Sequence, residues 1–296
     1  MRLTITDVGP RDGLQNESRV LPPETRAELC RQLAAAGLPK VEAASFVNPR
    51  LVPQMAGAND VVAAVHGTEG CVMAGLVLNE RGFERAQEAG VDEVHYAFPV
   101  TDSFARRNQN SSVEAGILAS HAIVRRAREA NLPVTVTLSV SFGCPFEGAV
   151  PDDRVMRVSE RVLEVPPDEL VLADTIGVGV PSQVTRLVRG VRELRDQRVG
   201  CHFHNTRNTG YANALAALEA GVESLDASVG GTGGCPFAPR ATGNIATEDL
   251  AYMLEGMGVD TGIDLGRLLG VSEWLGAQLG KELPGQLARA GMFPAA

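Results

Sequence analysis

Eight strand-like runs, each followed by a helical pattern, constrain this chain more than any other feature of it. Apolar runs at 3–8, 40–46, 71–78, 93–100, 134–142, 169–176, 199–204 and 224–229 read as strands. Amphipathic patterns at 23–36, 58–66, 81–89, 113–130, 152–164, 182–194, 210–220 and 246–257 read as the helices between them. Many of the strands look apolar on both faces, as parallel strands covered by helices must be. Gly37, Gly90 and Gly221 stand where a helix should stop before the next strand. Pro181-Ser182 and Thr247-Glu248-Asp249 read as helix starts, with acids favoured in the first turn. Eight such units predict the α/β class and a TIM (β/α)8 barrel. A doubly wound dinucleotide-binding sheet would show G-x-G-x-x-G after its first strand, and none is there. The barrel is expected over about 1–258, with additional C-terminal helices over about 259–296 that carry the only tryptophan, Trp274. All of it is expected to form a single domain, 1–296.

Composition narrows the partners. The net charge is −9 and no Lys/Arg-rich run occurs, which argues against nucleic acid and against an anionic membrane. No apolar run approaches membrane-spanning length. Five cysteines form no C-x-x-C pair and are odd in number, which fits free thiols in a reducing compartment. The first strand begins almost at Met1, with no leader pattern ahead of it, so a cytoplasmic protein is expected. The extra C-terminal helices would cover a barrel edge or build a subunit contact, so a homo-oligomer, a dimer or higher, is expected.

Barrel active sites lie at the C-terminal ends of the strands, which turns those ends into a search list. His202 and His204 end the seventh strand, and at i and i+2 they share one face while Phe203 turns away. Two imidazoles converging from one strand end form half of a divalent metal site. Asp12, after the first strand, would add an anionic oxygen, and Asn244, just before the eighth helix, a carbonyl oxygen. Two nitrogens and two oxygens suit Mg²⁺, Mn²⁺ or Zn²⁺ and would leave room for a chelating substrate. Arg11, permanently charged beside that centre, is suited to stabilise an enolate oxygen. Cys235, in a glycine-rich loop, could deliver a proton to a carbanion. Glu42 and Asp174 are expected as supporting acids that orient Arg11 or a ligand histidine.

The segments that carry these residues resemble the 3-hydroxy-3-methylglutaryl-CoA lyase family, within the wider group of metal-dependent TIM-barrel lyases and Claisen-type synthases. They are DVGPRDGLQNE (7–17), VEAASFVNPRLVPQMAG (41–57), FGCPFEG (142–148), ADTIGVGVP (173–181), HFHNT (202–206) and SVGGTGGCPFA…TGNIATEDLAYMLEG (228–256). The resemblance implies that Asp12, His202, His204 and Asn244 are metal ligands, with Arg11, Asp12, His204, Cys235, Glu42 and Asp174 in catalytic roles. It implies an acyl-CoA substrate and a retro-Claisen cleavage. A base, His204 or Asp12, takes the 3-hydroxyl proton, the C2–C3 bond breaks, and Cys235 protonates the acetyl-CoA enolate. Gln15, Arg207 and Arg240 are taken as substrate-binding, and Arg50, Arg106 and Arg107 as candidates for coenzyme A.

The chain departs from the family at Asn205-Thr206-Arg207, where Asp-Thr-Tyr is usual after the histidines, at Pro239-Arg240, and at Phe98-Pro99-Val100-Thr101-Asp102. These positions suggest an altered acyl preference, with Arg207 or Arg240 holding a differently placed carboxylate or a CoA phosphate. Citramalyl-CoA and longer branched 3-hydroxy-3-methyl acyl-CoA thioesters are therefore open alternatives to 3-hydroxy-3-methylglutaryl-CoA. A condensing synthase, which would be expected to carry a large regulatory extension, and a catalytically silent barrel are further alternatives.

Overall fold

The computed structural model describes residues 3–234 and 243–293. Eight strands close into one parallel barrel in sequence order: β1 Thr4–Asp7, β2 Lys40–Ser45, β3 Val72–Val77, β4 Glu93–Pro99, β5 Val134–Ser139, β6 Glu169–Asp174, β7 Arg198–Phe203 and β8 Ser224–Ala227. The helices are α1 Pro23–Ala35, α2 Ala58–Val65, α3 Glu80–Ala89, α4 Asp102–Gln109, α5 Val113–Glu129, α6 Asp152–Val162, α7 Pro181–Leu194, α8 Gly210–Ala220, α9 Thr247–Gly256, α10 Leu265–Leu279 and α11 Leu287–Ala290. Closure is direct, since Thr4–Asp7 pair in register with Ser224–Ala227. This is the TIM barrel expected from the alternation. Gly37, Gly90 and Gly221 follow α1, α3 and α8 with left-handed φ, and α7 and α9 begin at Pro181 and Thr247.

Two elements differ from the sequence reading. A short helix, α4, precedes α5, starting where Thr101 is extended and Asp102 accepts the Val113 amide at 2.9 Å. β5 stops at Ser139 because Val140 adopts φ +55°, a left-handed turn that no strand can continue through.

The apolar core lies between the strands and the helices. Val41, Val94, Val136, Leu170, Leu172, Val199, Phe203 and Leu225 are fully buried and face the helical shell. Each such aliphatic side chain contributes about 1.5–3 kcal/mol on burial. The inner face is a correction to the reading of strands as apolar on both sides. Successive residues alternate faces, so Lys40 and Glu42 of β2, Glu93 and His95 of β4, Thr135 of β5 and Glu169 of β6 all turn into the barrel, and all are buried. Buried charges persist only where they are paired. Here Lys40 Nζ lies 2.7 Å from Glu93 Oε2 and 3.8 Å from Glu169 Oε2, while Thr135 donates to Glu93 at 2.6 Å.

Beyond the barrel, α10 and α11 pack back onto it. Ser272 donates to Glu248 at 2.9 Å, and Lys281 reaches Glu17 at 2.6 Å. Among the described residues no helix is long and apolar enough to cross a membrane.

Candidate active site

The turn after β1, Gly9–Gly13, is a wide helical turn of the π type, in which the Asp12 and Gly13 amides both donate to Val8 O, at 2.7 and 3.1 Å. It sets Arg11 and Asp12 over the C-terminal end of the barrel. At the end of β7 the strand alternation works as expected: His202 and His204 face inward, and Phe203 is fully buried on the helix side against Phe142, with ring centroids 5.8 Å apart. The loop before α9 returns to this point, and Asn244 bridges to His204.

Asp12, His202 and His204 each offer a ligand atom, and these atoms all lie within 4.8 Å of one another. His204 Nε2 is 3.6 Å from Asp12 Oδ2, and the two imidazole centroids are 5.2 Å apart. Asn244 Nδ2 donates to Asp12 Oδ2 at 2.9 Å and to Thr232 O at 3.0 Å. That leaves its Oδ1, and Nδ1 of His204, buried with no hydrogen-bond partner among the described residues. Unsatisfied buried acceptors cost about 1–3 kcal/mol each. A divalent cation would satisfy such atoms, so the donor set fits one.

Burial works to raise the Asp12 pKa, but Arg11 and the two histidines outweigh it and hold the carboxylate well below its usual range. Burial works against a charged His202, but the Asp226 carboxylate raises its pKa. Asp226 Oδ2 lies 3.2 Å from His202 Nδ1. That contact directs the other ring nitrogen, Nε2, at the cluster, as an orienting carboxylate does for a metal-bound histidine. Asp226 was absent from the sequence expectations. Its signal was present: it sits on the inward face of β8, two residues before Ser228.

Arg11 is gripped on both sides. Its Nε donates to Glu42 Oε2, and its Nη1 lies 2.6 Å from Asp12 Oδ1. Burial opposes its charge, and the two carboxylates more than restore it. Glu42 is therefore placed where an orienter of Arg11 should be. Asp174 is not directed at Arg11 or at a ligand imidazole. Its carboxylate accepts the Val178 and Gly179 amides at 3.0 and 2.9 Å and so shapes the loop between β6 and α7. Burial raises its pKa.

A cavity of about 970 Å³ opens above this cluster, lined by Arg11, Asp12, Gln15, His202, His204 and Asp226. Gln15 Oε1 is buried there without a hydrogen-bond partner among the described residues. Arg50, Arg106 and Arg107 line the outer wall of the same cavity. Arg207 does not line it. Its Nη1 donates to Ile176 O at 3.2 Å and Gly177 O at 2.9 Å, which anchors it to the loop after β6. Asn205 likewise turns to the start of α8, accepting the Gly210 amide at 3.1 Å. Neither Arg207 nor Asn205 lines the cavity. Phe98 of the third departure is a packing residue, stacked on Tyr96 at 5.6 Å. Cys235 and Arg240 lie outside the described residues.

A closed parallel barrel with an acid, two histidines and an asparagine amide at its C-terminal rim defines a (β/α)8 protein with a candidate divalent-cation centre. The profile of the HMGL-like family matches residues 2–275. The chain is 45 % identical to an (R)-citramalyl-CoA lyase of Chloroflexus aurantiacus, over 98 % of this chain and 95 % of that protein. It is 42 % identical to a hydroxymethylglutaryl-CoA lyase of Pseudomonas mevalonii, over 99 % and 96 % of the two. A solved HMG-CoA lyase from Acinetobacter baumannii, in complex with coenzyme A and 3-methylmalate, superposes with a TM-score of 0.94 at 37 % identity, covering 100 % of this chain and 97 % of that one. The chain belongs to the HMGL-like family.

Proposed function

We propose that this carbon–carbon lyase cleaves a 3-hydroxy-3-methyl acyl-CoA that carries a free carboxylate, with 3-hydroxy-3-methylglutaryl-CoA as the first reading and acetoacetate and acetyl-CoA as products. The observation that carries it is the pairing of the Asp12–His202–His204 cluster with a guanidinium held in place by Glu42, on the floor of one large cavity. Asp12, His202, His204 and Asn244 would hold the cation, Mg²⁺ or Mn²⁺ by their mixed nitrogen and oxygen donors, with Zn²⁺ as an alternative. When bound, it supplies a Lewis acid for the substrate hydroxyl and carboxylate.

The chain's own groups do the rest. Asp12 or His204 takes the proton from the 3-hydroxyl. The C2–C3 bond breaks as the hydroxyl oxygen becomes a ketone, and the bonding pair passes into the thioester enolate. Arg11 donates hydrogen bonds to that enolate oxygen, and its rigid fork needs no reorganisation at that moment. The enolate carbon then takes a proton, which we assign to the Cys235 thiol. Gln15 is assigned to the substrate, and Arg50, Arg106 and Arg107 to the coenzyme A moiety. The barrel and the helices after it are proposed to act as one unit, since Ser272 holds Glu248, which in turn accepts the Gly230 amide at 3.0 Å. A homo-oligomer in the cytoplasm remains the proposed setting.

A second reading, (R)-citramalyl-CoA with pyruvate as the keto acid, is favoured by the 45 % identity to a lyase of that name. The deciding experiment offers both thioesters to the purified protein with Mg²⁺ or Mn²⁺ and measures acetyl-CoA release. Release from neither, with the cation bound, would overturn the lyase reading of the acyl group.

A further inference from the structure

The charges inside the barrel form a line. Arg198, at the lower end of β7, lies 3.7 Å from Glu169, and Glu169 lies 3.8 Å from Lys40. Lys40 pairs with Glu93 at 2.7 Å, and His95 Nε2 lies 3.3 Å from Glu93 Oε1. His95 Nδ1 then meets Glu42 Oε1 at 2.8 Å, and the other oxygen of Glu42 receives Arg11. Positive and negative groups alternate along the whole line and end at the candidate active site.

His95 is the link that the proposed mechanism does not use. It does not line the cavity, and it is 5 % exposed. The groups around it are Glu42 and Lys40 from β2, Glu93 on its own strand, and the uncharged Thr135 from β5. Glu42 is 2 % exposed, so a carboxylate there survives only if both of its oxygens are answered. Arg11 answers one and His95 the other. With both engaged, the carboxylate plane is fixed, and so is the direction in which Arg11 points.

We infer that His95 is a positioning residue for the lyase reaction: by holding the second oxygen of Glu42, it keeps Glu42 aimed at Arg11 and Arg11 aimed into the cavity. The carboxylates on either side of His95 favour its charged form despite burial, consistent with a cation at this link. Without that link, Glu42 would have to take up a proton or turn. Either change releases Arg11 from the pose in which it meets a developing enolate oxygen.

The inference rests on the proposed lyase chemistry, and its test separates the two. Wild-type protein loaded with Mn²⁺ is first scored for acetyl-CoA release from the two thioesters named above. His95→Leu is expected to lower kcat about 10–100-fold, with KM and bound Mn²⁺ unchanged. His95→Asn places an N–H near the Nδ1 position and should recover most of the rate. His95→Gln places one nearer Nε2, toward Glu93, and should stay impaired. If His95→Leu does not fold, the Asn and Gln variants carry the comparison alone. Equal rates for the two, or a fully active Gln variant, overturn the inference. A crystal structure of the most impaired soluble variant supplies a readout independent of turnover. Glu42 and Arg11 found in their wild-type positions overturn the positioning role even if no thioester is cleaved, whereas displaced side chains support it.

Discussion

At the scale of single residues, the inward-facing histidine pair of the candidate cation site was legible because it follows strand arithmetic. His202 and His204 share a face by alternation alone, and Arg11-Asp12 stand at a strand end. What was not legible is pairing across strands. Asp226 meets His202 because the two residues are register partners on β7 and β8, and one sequence carries no register. The contact predicts that Asp226→Asn weakens cation affinity about 10–100-fold with little change in the thermal midpoint. A competitive chelator titration reads this directly, and unchanged affinity would remove Asp226 from the site. Arg11 makes a second case. Lysine keeps the charge but cannot donate to Glu42 and Asp12 and still present a planar fork to the cavity. Arg11→Lys should therefore lower kcat on the order of 10²–10³-fold, as measured by initial rates of acetyl-CoA release, while cation binding persists. Arg207 shows the limit of reading along the chain. A cation three residues beyond His204 suggested a carboxylate clamp; in the structure its Nη1 donates to two loop carbonyls and it does not line the cavity.

At the scale of elements, the eight units were readable because turn chemistry and hydrophobic period agree along the chain. The two misses have local causes. α4, Asp102–Gln109, buries only Phe104 and Ala105, too few apolar positions for a period to emerge, and Val140 turns left-handed with a β-branched side chain that no propensity would place there. The loop between β8 and α9 is where an element touches function. Gly233 has φ +127°, and a Cβ there would lie 2.6 Å from Asn244 Nδ2. That amide is already held by Asp12 and Thr232, so it has no easy direction of retreat. Gly233→Ala should displace Asn244 and weaken cation binding about tenfold or more, with far-ultraviolet circular dichroism unchanged. Full affinity in a folded variant would show that Asn244 is not a ligand.

At the scale of the whole molecule, the barrel is a shell of apolar packing around a charged interior, and a buried acid links its first strand to the helix after its last. Asp7 ends β1, accepts the Gly9 amide at 2.8 Å, and meets the Thr247 hydroxyl of α9 at 2.6 Å. It thus ties the first strand to the helix after the last one. Asp7 is fully buried, and desolvation is the largest influence on it, opposed by the Thr247 and Gly9 hydrogen bonds; its pKa rises from 3.8 to about 7. A folded pKa above the unfolded one means that the folded state binds more protons between the two values. The contribution to stability is full below about 3.8, declines as pH rises, and is gone above about 7. His95 adds a second decline on the alkaline side, because the carboxylates raise its pKa from 6.5 to about 9 against burial. Asparagine at position 7 stays neutral at every pH, so it removes the first decline and leaves the second. The stability of Asp7→Asn relative to wild type should therefore rise between pH 4 and pH 8, by an amount on the order of a few kcal/mol at about 1.4 kcal/mol per pKa unit. Urea unfolding of both proteins across that range measures it. A constant difference would mean that Asp7 titrates alike in the folded and unfolded chains, and that the tie between β1 and α9 holds whether or not its carboxyl is charged.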